Sequence, residues 1–324
     1  MAMNEKIKED IWGAKELIEK KKNDKNLEDY SPYKSTYLWT NEDIKETLKE
    51  LRIPNKEKAL TVLSSGDHLF NLIVDGYSKI DTFDINRLSQ YTSLGLKRAM
   101  ILKYNLEEFK RRIDCIKTNT YTRKEELEEI RNCLDYMEKE HKLFFQSLLD
   151  AVARKEILEE DDYLLNYLLK KKPTTTTDLI LGNNYLDSDE KYEVLRKRLQ
   201  KVEISFQEKN ILNIDKGNNN YDLVYLSNIL DYAYINWGIS WNYKNLKMLE
   251  KRLKDYLEKD GVIMLHYIFQ YYKEVDYYFN NPEIKKKRLR KEELITFQNH
   301  YNQTSGILVL RKNLKNKEKY GIIG

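Results

Sequence analysis

Apolar residues along this chain keep two rhythms. Short runs rich in β-formers, either continuous or alternating, predict strands over 59–63, 79–83, 202–206, 221–226, 260–266 and 305–310. Between them, apolar spacings of three and four predict helices. Small and polar residues mark each change of rhythm. After 59–63 comes Ser64-Ser65-Gly66-Asp67, then a helix over 68–74 ended by Gly76, then the 79–83 strand closing on Asp84-Ile85-Asn86. Thr40 is the predicted N-cap of a helix running through Leu51, and 87–104 reads as a further helix. Strands alternating with helices, the last arriving after a long excursion, predict an α/β fold: a doubly wound, mostly parallel, Rossmann-like sheet.

The pattern divides the chain into four stretches. Residues 1–50 form an N-terminal helical segment that includes an aromatic loop, Tyr30-Ser31-Pro32-Tyr33 to Tyr37-Leu38-Trp39. Residues 51–105 are the first part of the α/β core, 106–200 a large helical insertion, and 201–324 the remainder of the core. In the insertion Thr122 and Glu125 make a capping box. Leu127, Ile130, Leu134, Met137, His141, Phe144 and Leu148 then follow as a helix-packing seam. His141 lies on that seam and reads as a core residue, and Cys133 beside it as structural. Pro173 and four threonines mark 170–178 as a loop that returns the chain to the core.

Composition narrows the class. Two cysteines, Cys115 and Cys133, without a CxxC or metal-ligand neighbour, argue against a disulfide scaffold or metal site and favour a cytoplasmic protein. No segment has the length and apolarity to cross a bilayer, and the N-terminus lacks the apolar core of a signal peptide. The net charge of +4 is small beside 57 basic and 53 acidic side chains, so nucleic acid is not an expected partner. The run Lys285-Lys286-Lys287-Arg288-Leu289-Arg290-Lys291 is a candidate for peripheral contact with the inner membrane surface, with a solvated helix face as the plainer reading.

Candidate chemistry gathers at the carboxyl ends of the predicted strands, which in an open parallel sheet line one crevice. Ser64, Ser65, Gly66 and Asp67 occupy the turn after the first strand, where a helix N-terminus directs its amides at a ligand. Asp84 stands at the second tip, about 20 residues on, where such folds place an acid for ribose hydroxyls. Ser227, Asn228, Asp231 and Tyr232 follow the 221–226 strand, and His266 ends the next. The aromatic loop with Tyr37 and Trp39 is placed either over the ligand or against the sheet edge. Only Gly66 remains of the dinucleotide glycine triplet, so spacing alone leaves nucleotide binding and an ordinary βαβ unit both open.

Val62-Leu63-Ser64-Ser65-Gly66-Asp67-His68, then Phe83-Asp84-Ile85-Asn86, then Leu96-Lys97-Arg98-Ala99, resemble the motifs of the BtaA-like family. These are the S-adenosylmethionine:diacylglycerol 3-amino-3-carboxypropyltransferases of betaine-lipid synthesis. Tyr37-Leu38-Trp39 resembles the family's aromatic motif before the first strand, and Tyr225 to Tyr232 its later leucine-serine tip; Arg87 stands where the family carries proline. The resemblance implies a class I methyltransferase-like fold with S-adenosylmethionine as cofactor. It implies that Ser65, Gly66 and Asp67 meet the methionine end, Asp84 the ribose hydroxyls, and Asn210-Ile211 the adenine, with Ile85 and Asn86 shaping the second tip. It further implies transfer of the aminocarboxypropyl group to a lipid or small-molecule acceptor, with methylthioadenosine released. A hydroxyl acceptor needs a general base, for which Asp231, His266 and Tyr232 are the candidates. Methyl transfer on the same fold and a non-catalytic S-adenosylmethionine-binding or interaction protein are the alternatives.

Overall fold

The computed structural model describes residues 2–23, 39–40, 42–118, 121–154, 182–215, 220–227, 229, 251–267, 292–298 and 304–311. Their centre is a seven-stranded sheet: β1 (Lys58–Val62), β2 (Lys79–Asp84), β3 (Glu203–Glu208), β4 (Tyr221–Tyr225), β5 (Leu257–Tyr267), β6 (Glu292–Gln298) and β7 (Thr304–Arg311). The spatial order is β3-β2-β1-β4-β5-β7-β6. β1 to β5 run parallel, while β7 lies antiparallel to both β5 and β6. This is the doubly wound, mostly parallel Rossmann-like sheet expected from the sequence.

Two-residue periodicity explains why helices cover both faces. Ala59 on β1, Leu223 and Tyr225 on β4, and Val262 and Met264 on β5 belong to one core. Their neighbours Leu60, Val224, Ile263 and Leu265 belong to a second core on the opposite side. A strand buried on both faces reads as a continuous apolar run, which is how β1, β4 and β5 stand out in the sequence.

Among the described helices are α1 (Ala2–Asn23), α2 (Ile44–Leu51), α3 (Asp67–Asp75), α4 (Arg98–Lys103), α5 (Leu106–Thr118), α6 (Arg123–Cys133), α7 (Lys139–Ala153) and α8 (Asp189–Leu199). α8 packs on α3 and leads directly into β3. The capping box at Thr122 and Glu125 is present, His141 and Cys133 are buried, and Gly76 ends α3 with φ +119°.

Two expectations are corrected, the cap of α2 and the 87–104 helix, and the structure adds two features to the reading. α2 is capped by Asp43, whose carboxylate accepts the Glu46 N–H, because Thr40 is drawn away to the first strand's turn. The 127–148 seam is shared by α6 and α7 around a corner, with a 3₁₀ turn over Leu134–Tyr136 and an extended Met137 between them. The 87–104 helix begins as a π-helix over Gln90–Lys97 and only then becomes α4. β6 was not anticipated, because its stretch opens on Glu292-Glu293 after a basic run and carries a weak apolar signal, as edge strands often do. The 285–291 run itself and the 170–178 loop lie outside the described residues.

Candidate functional site at the carboxyl edge of the sheet

The strand order reverses between β1 and β4, making their carboxyl ends a topological switch point. From β3 across to β5 the tips present Asn210, Asp84, the Ser64–Gly66 turn, Ser227 and His266 in that order. Two of these residues, Ser64 (φ +43°) and Ser227 (φ +56°), are non-glycine residues held in the left-handed region. Such conformations cost of order 1–3 kcal/mol each and persist only where surrounding contacts over-determine them.

The contacts that hold Ser64 come from both sides. Its N–H donates to Asp84 Oδ2 at 3.0 Å, and its carbonyl accepts the Ser93 hydroxyl at 2.8 Å. Gly66, at φ +81°, is required by the protein itself: a Cβ there would stand 3.0 Å from the Phe70 ring and 3.1 Å from Ser93 Cβ. The glycine therefore lets the turn seat against α3 and the π-helix. The half-buried Asp84 carboxylate also accepts the Asn86 N–H at 2.9 Å. Burial pushes its pKa up, while N–H groups from Asn86, Ser64 and Ile85 and the Ser89 hydroxyl oppose that shift. Asn86 in turn accepts the Leu88 N–H, so the second tip is a compact hydrogen-bonded turn.

Asp67 faces inward. One carboxylate oxygen takes Lys97 Nζ (2.6 Å) and the Tyr185 hydroxyl (2.7 Å); the other takes the Ser65 hydroxyl (2.8 Å) and the Thr40 N–H (2.7 Å). Lys97 also donates to the Ser65 carbonyl at 3.1 Å, and its ammonium lies 4.2 Å from the Trp39 ring centroid. Burial lowers the Lys97 pKa and the adjacent Asp67 charge opposes this. Trp39 is thus buried under the turn, edge-on to Phe109, and supports Lys97. Trp39 packs against Lys97 and Phe109 and not at the sheet edge; Tyr37 lies outside the described residues.

No protein-family model matches the chain, and no curated protein matches it. Solved structures similar to it include the rRNA methyltransferase aviRa from Streptomyces viridochromogenes, at TM-score 0.39 and 11% identity, covering 88% of this chain and 89% of that one. The N-methyltransferase NodS from Bradyrhizobium japonicum WM9 gives 0.36 and 8%, covering 83% and 95%. Spermidine synthase from Thermotoga maritima gives 0.34 and 9%, covering 83% and 57%. The site is therefore read from this chain's own geometry.

The largest surprise at the edge is Glu42, which sequence reasoning passed over as part of a helix start. Its side chain lies beside the switch point, where Oε2 is 3.0 Å from His68 Nε2, 3.1 Å from His266 Nδ1 and 3.2 Å from the Tyr225 hydroxyl. Oε1 accepts the Ser227 hydroxyl. Burial opposes ionisation of Glu42, yet the charges and hydrogen bonds of His68 and His266 hold its pKa well below the ordinary carboxylate range. Burial and then Glu42 raise the Tyr225 pKa, so this hydroxyl remains a donor. His266 donates its backbone N–H to the Ser227 carbonyl at 2.9 Å, joining the β4 and β5 tips.

Other candidate residues divide clearly. Asn210 accepts the Leu212 N–H and caps a 3₁₀ turn after β3, while Ile211 packs into the second core. Asn228, Asp231 and Tyr232 lie outside the described residues. Among the described residues no group of three or more His, Cys, Asp or Glu is arranged to hold a metal ion. Among them, too, no helix is long and apolar enough to cross a membrane.

Proposed function

We propose that this protein is an S-adenosylmethionine-dependent transferase that moves the 3-amino-3-carboxypropyl group onto a lipid or small-molecule acceptor and releases methylthioadenosine. The observation that carries the reading is the pair of strained serines, Ser64 and Ser227, on either side of the switch point, with Asp84 beside the first. Strain of this kind concentrates at ligand clamps, and Asp84 is an oriented, half-buried carboxylate suited to hydroxyl donors. The residues fit the cofactor on that ground. The choice of propyl over methyl carbon is supported by the resemblance of 62–68, 83–86 and 96–99 to the aminocarboxypropyltransferases.

Bound S-adenosylmethionine supplies an activated sulfonium whose leaving group is neutral. The chain then has to align and deprotonate the acceptor. In this reading Asp84 takes the ribose hydroxyls, with Ile85 and Asn86 shaping its tip, and the backbone of Ser65-Gly66 meets the methionine end. Asp67, engaged with its four donors, acts by holding that turn. Asn210 and Ile211 take the adenine, Ser227 and Asn228 are further cofactor-binding residues, and Asp231, His266 and Tyr232 are the candidates for removing the acceptor proton. For a lipid acceptor, the basic run 285–291 is the membrane contact in this reading, each charge near anionic lipid adding about 1 kcal/mol.

The test incubates purified protein with S-adenosylmethionine and vesicles containing dioctanoylglycerol, and identifies the nucleoside product by mass spectrometry. Methylthioadenosine supports the reading, S-adenosylhomocysteine replaces it with methyl transfer, and binding without either product replaces it with a binding role. Asp84→Ala is expected to weaken S-adenosylmethionine binding at least about tenfold by calorimetry, in line with the loss of charged hydrogen bonds. Unchanged affinity would remove Asp84 from the site.

A further inference from the structure

We infer that the segment 182–187, which leads from the helical insertion into α8, is a clamp on the cofactor turn, and that its Tyr185 is a positioning residue for S-adenosylmethionine binding. The inference rests on the transferase reading and deepens it, because cofactor affinity then depends on a side chain that the insertion delivers. The first turns of α3 present Asp67, Phe70 and Asn71 at spacings of three and four, which puts them on one helix face. All three meet the 182–187 segment. The Tyr185 hydroxyl donates to Asp67 Oδ1 at 2.7 Å, and the Tyr185 ring lies edge-on to Phe70 with centroids 5.7 Å apart. Asn71 donates to Asn183 Oδ1 and accepts the Asn184 N–H, both at 2.7 Å.

Tyr185 reaches the turn by two routes. Its hydroxyl acts through Asp67, which also holds the Ser65 hydroxyl, and its ring acts through Phe70, the ring against which Gly66 seats. Asp67, Asn71, Asn183 and Tyr185 are all fully buried, so water does not replace a lost partner there. Burial, and then the Asp67 charge, raises the Tyr185 pKa and keeps the hydroxyl a donor. The clamp has its own anchors: Lys45 of α2 gives its N–H to the Gly182 carbonyl at 3.1 Å and pairs with Asp187 at 2.9 Å, and Lys110 of α5 donates to the Leu186 carbonyl at 2.9 Å. A left-handed serine such as Ser64 persists only while its surroundings hold it. A turn left loose in the free protein has to be ordered at the moment of binding, which costs affinity. Once the cofactor is bound the turn is ordered in either case, so the bond-making step changes little.

The test measures S-adenosylmethionine affinity by calorimetry on folded wild type, Tyr185→Phe and Tyr221→Phe. Tyr221 makes the same kind of bond, hydroxyl to the Asp81 carboxylate at 2.6 Å, but at the opposite end of β4 from the site. Each variant loses one such bond from its stability, so stability alone does not separate them. Tyr185→Phe is expected to raise Kd about five- to tenfold, and Tyr221→Phe to stay within about twofold of wild type. A Kd for Tyr185→Phe equal to that of wild type, or an equal shift in both variants, overturns the inference. With dioctanoylglycerol as acceptor, the change should fall on the KM for S-adenosylmethionine and leave kcat within about twofold; a fall in kcat at unchanged KM overturns it too. If Tyr185→Phe does not fold, hydrogen exchange of the wild type decides. S-adenosylmethionine then slows the 183–187 amides more than those of α6, and equal slowing in both overturns the inference. Wild-type protein that fails to bind S-adenosylmethionine removes the transferase reading and this inference with it, whereas wild-type binding with an unmoved Tyr185→Phe removes the inference alone.

Discussion

Lys97 shows how much one buried charge controls. Its ammonium and the Asp67 carboxylate are both almost fully enclosed, 2.6 Å apart, and together they tie the π-helix to the Ser65 turn. Removing one member of such a pair strands the other in a medium of low polarity. Lys97→Met is expected to cost about 3–5 kcal/mol in urea unfolding, and Lys97→Met with Asp67→Asn less than the single change. The motif containing Leu96-Lys97 was visible in the sequence, but nothing in its spacing told that Lys97 points under the turn. Glu42 was less legible still. Read linearly it is one of several polar residues before a helix; only its burial among two histidines, a tyrosine and a serine gives it a role.

At the scale of elements, the βαβ unit β1–α3–β2 was the most legible part, because a continuous apolar strand, a glycine turn, a short helix and a second glycine each constrain the backbone independently. The π-helix was not legible, since its wider winding leaves an apolar pattern close to that of an α-helix while shifting Ser93 and Lys97 onto the turn. The β4–β5 pairing carries another hidden constraint. Its register shifts between Tyr221 and Leu223, and a Cβ on Gly261 would lie 2.5 Å from the Tyr221 carbonyl oxygen. Gly261→Ala therefore forces two strand backbones apart. It is expected to destabilise by about 1–3 kcal/mol in denaturant unfolding, and a stability equal to wild type would show that the strands yield without cost.

For the molecule as a whole, α1 is fastened to the core through Asp10, which is fully buried. It accepts the Tyr91 hydroxyl at 2.5 Å and Arg87 Nη1 at 3.0 Å, and Arg87 reaches on to Glu208 at the end of β3. Burial raises the Asp10 pKa, opposed by Tyr91 and Arg87. Asp10→Ala leaves the Tyr91 hydroxyl in the core without this acceptor, a loss of about 1–3 kcal/mol. Hydrogen exchange should then quicken in α1 while β1, β2 and β4 stay protected; uniform quickening would mean that α1 opens only with the whole domain. Arg87, singled out in the sequence only as a departure from a family proline, proves to be the link between α1, the π-helix and β3.

The sequence by itself determined the parallel strands, the turn chemistry and the carboxyl-edge position of Ser64 to Asp67, Asp84, Ser227 and His266, because local propensity and period-two burial act within a few neighbouring residues. Tertiary structure alone decided what those side chains meet. Asp67 turns inward because Lys97 and Tyr185 come from 30 and 118 residues away. Glu42 joins His68, Tyr225, Ser227 and His266 because β1, β4 and β5 become neighbours only when the strand order reverses in the folded sheet. Hydrogen bonds and ion pairs between distant segments depend on ångström-scale placement, which no spacing along the chain encodes.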